Sequence, residues 1–189
     1  MGNKYVNIHQ ELLDRCERGD TKAQFEVYRL YYKSMYNSSL RIVGATVVAE
    51  DIMQESFLTA FRKLSAYSGE VSFGAWLKKI VINRSLDYLR KRKVVFEELQ
   101  NDLQITDEEE PEFDQMTVAE IKTAISALPD GYRTVLSLIL IEGYSHEEVS
   151  KILCIRNVSS RTQYSRAKIR LREVLIEKRI EKLKEKIYE

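Results

Sequence analysis

The chain of 189 residues sets 30 Lys and Arg against 29 Asp and Glu, a formal net charge of +1, and is 44% hydrophobic. That size and balance suit one soluble domain or two small ones with modest cores. No apolar run nears a membrane span, the N-terminus lacks a signal-peptide core, and Cys16 and Cys154 stand far apart without a CxxC partner, which excludes a spanning protein, a disulfide framework and a cysteine zinc site and favours the cytoplasm.

With only seven Gly and two Pro, helices can run long, and residues 1–93 read as one helical unit. Asp20 and Thr21 can cap a helix whose apolar positions include Phe25, Tyr28, Leu30, Tyr31 and Met35. Gly44, Ala45 and Thr46 break the pattern. A second helix runs from about Val48, with Ile52, Phe57, Leu58, Phe61 and Leu64 inward and Asp51, Gln54 and Glu55 outward. Ser65 to Ser72 forms a loop. A third helix starts near Phe73, carries Trp76, Leu77, Ile80 and Val81 inward, and continues through Leu86 and Leu89 towards Lys93. It is cationic, with Lys78, Lys79, Arg84 and the run Arg90, Lys91, Arg92, Lys93 opposed only by Asp87.

From 94 to 121 the chain changes character: ten Asp and Glu, no Lys or Arg, and Pro111 predict an extended or disordered acidic linker over 94–114. A second helical unit occupies 115–189. Ile121, Ile125 and Leu128 have helical spacing that Pro129 stops. Arg133 to Glu142 predicts a buried apolar helix ended by Gly143. Ser145 opens a capping box with Glu148, and Val149, Ile152 and Leu153 form the inner face of the short helix after it. After a turn at Cys154–Asn157 comes a basic helix, whose stripe of Ile169, Leu175, Ile176, Ile180, Leu183 and Ile187 extends towards the C-terminus. The expected fold is therefore all-α, two small helical domains on a flexible acidic linker.

From Lys151 to Arg172 there are seven Lys and Arg and not one Asp or Glu. A near-neutral chain that gathers cation on one helix offers that helix to a polyanion. A solvated basic face would be the plainer reading of the helix alone. The apolar helix, Gly143, the capped short helix and the turn together point instead to a helix-turn-helix on duplex DNA. Ser159, Ser160, Arg161, Gln163 and Tyr164 then stand nearest base edges, where Arg suits guanine and Gln suits adenine. Arg166, Lys168 and Arg170 suit phosphates. Asn83 is a polar side chain midway along the other basic helix and a candidate for a base edge. Trp76 reads as core. The face of Asp51, Gln54 and Glu55 is open to two readings, a solvated surface or an acidic patch for a protein.

Three stretches then resemble region 2 of the sigma-70 family of bacterial transcription initiation factors, in its small extracytoplasmic-function branch: Ala49-Glu-Asp-Ile-Met-Gln-Glu-Ser-Phe57, Phe73-Gly-Ala-Trp-Leu77 and Ile82-Asn-Arg-Ser-Leu-Asp-Tyr-Leu-Arg-Lys-Arg92. Leu128-Pro-Asp-Gly-Tyr-Arg-Thr-Val-Leu136, Glu142-Gly-Tyr-Ser-His-Glu-Glu-Val149 and Ser160-Arg-Thr-Gln-Tyr-Ser-Arg-Ala-Lys168 resemble region 4. The resemblance implies that Asp51, Gln54, Glu55 and Phe57 meet the β′ clamp of core RNA polymerase, and that Asn83, Arg84, Arg90 and Arg92 read and melt the minus-10 element. It implies that Ser159, Ser160, Arg161, Gln163, Tyr164, Arg166 and Lys168 read the minus-35 element while region 4 rests on the β flap. It implies an anti-sigma partner on the inner membrane, with the acidic linker either threading a cationic channel or serving as a plain spacer. The chain departs from the family's usual form at Cys154, where Gly is common in the turn, and at Arg156, where Ser or Thr often precedes the recognition helix.

No nucleophile–base set, metal-ligand cluster or phosphate loop is visible, so the expectation is a factor without catalysis, cofactor, small-molecule substrate or membrane insertion. The competing expectation is a stand-alone helix-turn-helix regulator whose first lobe senses a ligand or dimerises.

Overall fold

The computed structural model describes residues 8–92 and 117–188, without the side chains at 182, 183 and 185–188. The stretch read as a linker, 94–114, lies outside the described residues, and so do the side chains of Leu183 and Ile187. Among the described residues every regular element is helical, and the chain divides into two units, Met1–Lys93 and Val94–Glu189.

The first unit holds α1 (Gln10–Glu17), α2 (Thr21–Val43), α3 (Thr46–Arg62), a 3-10 turn (Leu64–Ala66) and α4 (Phe73–Lys91). Helix α1 has no counterpart among the elements expected from the sequence. It is one short amphipathic segment that buries Leu13 and Cys16. Asp20 ties it to α2: one carboxylate oxygen accepts the N–H groups of Lys22 and Ala23, and the other accepts Nε and Nη2 of Arg15 at 2.9 and 2.7 Å. Those bonds, the one from Arg15 foremost, hold the Asp20 carboxyl below its ordinary range. Gly44, at φ +73°, ends α2, and α3 begins at Thr46. A left-handed residue is least strained as Gly.

Helices α2, α3 and α4 pack on one another around Val27, Met35, Ile42, Met53, Phe57, Phe73, Leu77, Val81, Ile82, Leu86 and Leu89. Leu58, expected inside, is 58% exposed, and Phe25 and Leu30, apolar positions of α2, are 61% and 51% exposed. Small side chains occupy the close approaches instead: Ala23, Ser38 and Ser39 on α2, Ala49 and Ser56 on α3, Ser85 on α4. A ranking by apolar bulk places Phe and Leu above these, but tight helix packing rewards volume that fits. The buried hydroxyls are satisfied. Ser39 and Ser85 share a bond of 3.1 Å between α2 and α4, Ser56 donates to the Ile52 carbonyl, and Ser85 is within 2.8 Å of the Val81 carbonyl.

The second unit holds α5 (Val118–Ser126), α6 (Asp130–Leu136), a π-helical turn (Ser137–Ile141), α7 (His146–Leu153) and α8 (Asn157–Tyr188). Thr117 and Glu120 close a capping box before α5, and Ser145 and Glu148 close the second one at the predicted place before α7. Ala124, Ile125, Leu128, Leu136, Ala167, Val174 and Leu175 form a core, with Tyr132 and Leu171 against it. The stretch expected as one buried helix is two pieces. A π turn adds a residue to the repeat and rotates the residues beyond it. Leu140 and Ile141 consequently lie 58% and 42% exposed. On α8, Leu175 is buried but Ile169, Ile176 and Ile180 are 45%, 41% and 47% exposed.

Candidate nucleic-acid and protein interfaces

On α3, residues 51, 54, 55 and 58 follow the helical repeat along one stripe, so Asp51, Gln54 and Glu55 are exposed as predicted. Phe57 falls on the opposite side. It is 2% exposed and packs against Tyr28 and Phe61 at centroid distances of 4.9 and 6.0 Å. Its place among the residues that touch a partner is corrected: it fixes α3 on α2. On α4, Asn83 is exposed. Arg84 beside it is turned onto α3, where Nη1 pairs with the Glu55 carboxylate and Nη2 donates to Thr59 Oγ1 at 2.7 Å. Arg90 pairs with Asp87 at 2.7 Å, and the Arg92 guanidinium lies 5.8 Å from the Tyr88 ring centroid. Both remain exposed at the helix end. Trp76 is half-buried against Tyr67 and Phe73 at 5.2 and 5.8 Å.

In the second unit the turn after α7 is made by Cys154 itself, at φ +56° and ψ 42°. The Ile155 N–H returns to the Ser150 carbonyl at 3.0 Å and closes the turn. Arg156 stands where an N-cap would, its carbonyl accepting the Ser160 N–H at 3.0 Å, although its side chain has no acceptor for the helix start. Helix α8 is clasped by α5, α6 and α7. Three residues proposed for base edges are buried by that clasp: Ser159 at 1%, Ser160 at 0% and Gln163 at 3% exposed. They are corrected to packing positions. Ser160 Oγ lies 3.1 Å from His146 Nδ1, and Tyr164 meets the same imidazole edge-on at 5.5 Å. Burial, with Arg161 nearby, pushes the His146 imidazole below its ordinary range.

The outward face of α8 carries Val158, Arg161 and Lys168 exposed, with Thr162, Tyr164, Ser165 and Arg166 half-buried beside them. Arg161 Nε donates to Asn157 Oδ1 at 3.0 Å, and Lys168 Nζ stands 5.5 Å from the Tyr164 ring centroid. Val158, Thr162 and Ser165 share this face and were not among the residues nominated from the sequence. A signal for them existed: Ser160, Gln163, Ala167, Leu171 and Val174 keep the i+3/i+4 spacing of a buried stripe, which fixes the opposite face. Among the described residues no group of His, Cys, Asp and Glu could hold a metal ion, and no helix is long and apolar enough to cross a membrane.

Two helical units, one with a helix-turn-helix and each with a cationic helix face, define a class of DNA-directed protein. The family model for Sigma-70 region 2 matches residues 27–94, and that for Sigma-70 region 4 matches residues 118–171. The chain belongs to the sigma-70 family, in its extracytoplasmic-function branch. It is 30% identical to the ECF RNA polymerase sigma factor SigE of Mycolicibacterium smegmatis over 79% of this chain and 60% of that one. It is 29% identical to the RNA polymerase sigma-H factor of Pseudomonas aeruginosa over 76% of this chain and 81% of that one, and 28% identical to SigW of Bacillus subtilis over 86% and 94%. The fold is shared with the sigma factor RpoE from Bartonella quintana, solved with the anti-sigma factor NepR (TM-score 0.53, 21% identity, 79% of this chain and 94% of that one). It is also shared with CnrH, solved with the cytosolic domain of CnrY (TM-score 0.50, 18% identity, 88% and 96%). The region 2 match accounts for the first unit and leaves a stand-alone regulator without support.

Proposed function

We propose that the chain directs core RNA polymerase to specific promoters, with 1–93 serving the minus-10 element, 115–189 the minus-35 element and 94–114 joining them. The observation that carries this is the pairing of each matched family region with a cationic helix surface: Arg90 and Arg92 exposed at the end of α4, with Asn83 exposed further up that helix, and Arg161 and Lys168 exposed on α8 beside the half-buried Arg166. Asp51, Gln54 and Glu55 are the acidic and polar stripe for the polymerase clamp. Duplex contacts at minus-35 fall to Arg161, Thr162, Tyr164 and Ser165, flanked by Arg166 and Lys168 for phosphates. Opening at minus-10 needs no chemistry by the protein, because capture of unstacked bases shifts the duplex equilibrium. An anti-sigma factor is the proposed inhibitor, by extension from the RpoE complex, and the cytoplasm is the proposed compartment, with tethering at the inner membrane through that inhibitor.

Transcription by sigma-free core polymerase on fragmented genomic DNA, with start sites mapped, tests the proposal. Sequence-specific starts that depend on added protein are expected. No initiation on any template, together with tight unaided binding to duplex sites, overturns it.

A further inference from the structure

Glu55 and Arg84 were assigned to different surfaces, one to a protein and the other to nucleic acid, yet they are bonded to each other. Arg84 reaches from α4 to α3, giving one guanidinium nitrogen to the Glu55 carboxylate and the other to the Thr59 hydroxyl at 2.7 Å. The seat is complete on the α3 side, since Thr59 donates its own proton to the Glu55 carbonyl at 2.9 Å. Thr59 can therefore only accept from the guanidinium, and its geometry is fixed by its own helix turn. The Arg84 side chain is 34% exposed and that of Glu55 is 64% exposed, so both ends of the contact stay within reach of a competitor. Asn83, the next residue, already faces outward.

We propose that Glu55 and Thr59 form a latch that withholds Arg84 from nucleic-acid phosphate in the free protein, and that a cationic group of the polymerase taking Glu55 releases it. The proposal rests on the assignment of α3 to polymerase under Proposed function. Its logic is thermodynamic linkage. One guanidinium cannot serve the Glu55 carboxylate and a phosphate at full strength together, so whatever occupies Glu55 favours Arg84 on DNA. Reciprocally, DNA on Arg84 favours polymerase at Glu55. An exposed ion pair is weak, so the coupling is small, about two- to fivefold in affinity. Small coupling suffices to bias the order of assembly without locking the protein.

The test uses the full chain and a fluorescent single-stranded oligodeoxynucleotide of mixed sequence, titrated over a series of salt concentrations. Thr59→Val removes the acceptor while keeping the shape, and Glu55→Gln weakens the latch from its other side. In free protein both variants are expected to bind the oligonucleotide about two- to fivefold more tightly. Both should steepen the salt dependence by about 0.7, the increment for one added phosphate contact on single strands. Arg84→Gln should abolish the gain in either background. With saturating core polymerase, wild type and Thr59→Val should converge. Equal salt slopes for wild type and both variants in the free protein overturn the latch, and so does a gain that survives Arg84→Gln. The free-protein arm involves no polymerase. Failure of the polymerase assignment would show separately, as wild-type binding that does not change when core enzyme is added.

Discussion

The two units present their polar faces differently. In the first, α3 and α4 show solvent residues that polarity identifies: Asp51, Gln54, Glu55 and Asn83 are all exposed. In the second, the basic helix α8 is held by three other helices, and nearly half of the residues that its composition nominated are buried. On α3 the nominated polar residues fall on the stripe away from α2 and α4, so for them composition and exposure agree, while Phe57 and Ser56 face the packed side. A helix packed on several sides exposes a narrow arc, and its phase, set by small buried residues such as Ser160 and Ala167, decides which polar groups reach solvent.

The largest expected effect comes from treating a buried position of the first unit as if it belonged to its surface. Phe57→Ala should destabilise the protein by about 3–5 kcal/mol, the range for emptying a buried aromatic site. Gln54→Ala, three residues away on the exposed stripe, should leave thermal unfolding within about 0.5 kcal/mol of wild type. Circular dichroism on both variants decides the matter. A stable Phe57→Ala that had lost polymerase binding would return Phe57 to the contact surface.

The same contrast can be drawn in the second unit with a smaller effect. Arg161→Ala should weaken binding to a minus-35 duplex about tenfold and relax discrimination at the base it meets, with thermal stability unchanged. Ser160→Ala, one residue earlier, should leave affinity and discrimination where they are, because its hydroxyl faces His146 within the unit. Electrophoretic mobility shifts on duplexes carrying single-base changes separate the two. Equal losses of discrimination would mean that α8 is rotated relative to its phase in this structure.

These corrections show where the sequence was legible. The helix-turn-helix, the Asp20 cap, the Ser145–Glu148 box and the stop at Gly44 rest on local chemistry that a few adjacent residues specify, and each stands where expected. Errors of phase account for several departures: bulk puts Leu58 on an inner stripe, and an unbroken α-helical repeat buries Leu140 and Ile141 through what is a π turn. Helix α1 was missed because eight residues with only Leu12, Leu13 and Cys16 as apolar positions give little periodicity to detect. The Glu55–Arg84 contact spans 29 residues, and no local pattern announces it.

A still smaller effect separates the turns of the two units. The first unit turns from α2 to α3 on Gly44 at φ +73°, whereas the second turns into its recognition helix on Cys154 at φ +56°. A side chain in the left-handed region costs about 1–2 kcal/mol. Cys154→Gly should therefore stabilise the second unit by about 1 kcal/mol, the added freedom of Gly in the unfolded chain offsetting part of the relief. Hydrogen exchange of the amides in α7 and early α8 is the appropriate measure, since the chain's one Trp, Trp76, reports on the first unit. Unchanged protection in α7 would mean that the thiol side chain, which approaches the Lys151 carbonyl at 3.8 Å, compensates the strain.

The smallest difference is one of pH. Burial and the charge of Arg161 hold the His146 imidazole below its ordinary 6.5, so the folded second unit prefers it neutral. As pH falls through 6.5 the unfolded chain takes up the proton first, and by linkage the unfolded state gains. The contribution of His146 is therefore present above 6.5, is lost as pH falls towards the lower folded value, and levels off beneath it. Glu147 and Glu148 act in a separate range. Lys151 holds the first carboxyl, and the Ser145 backbone N–H the second, below their ordinary 4.5, so their contribution is lost only at lower pH. As pH falls below 6.5, exchange protection at the α7–α8 junction should decline, and His146→Gln should flatten that decline. A junction whose protection stays constant across that range in the wild-type chain would show that the imidazole is as free to take up a proton in the folded unit as in the unfolded chain.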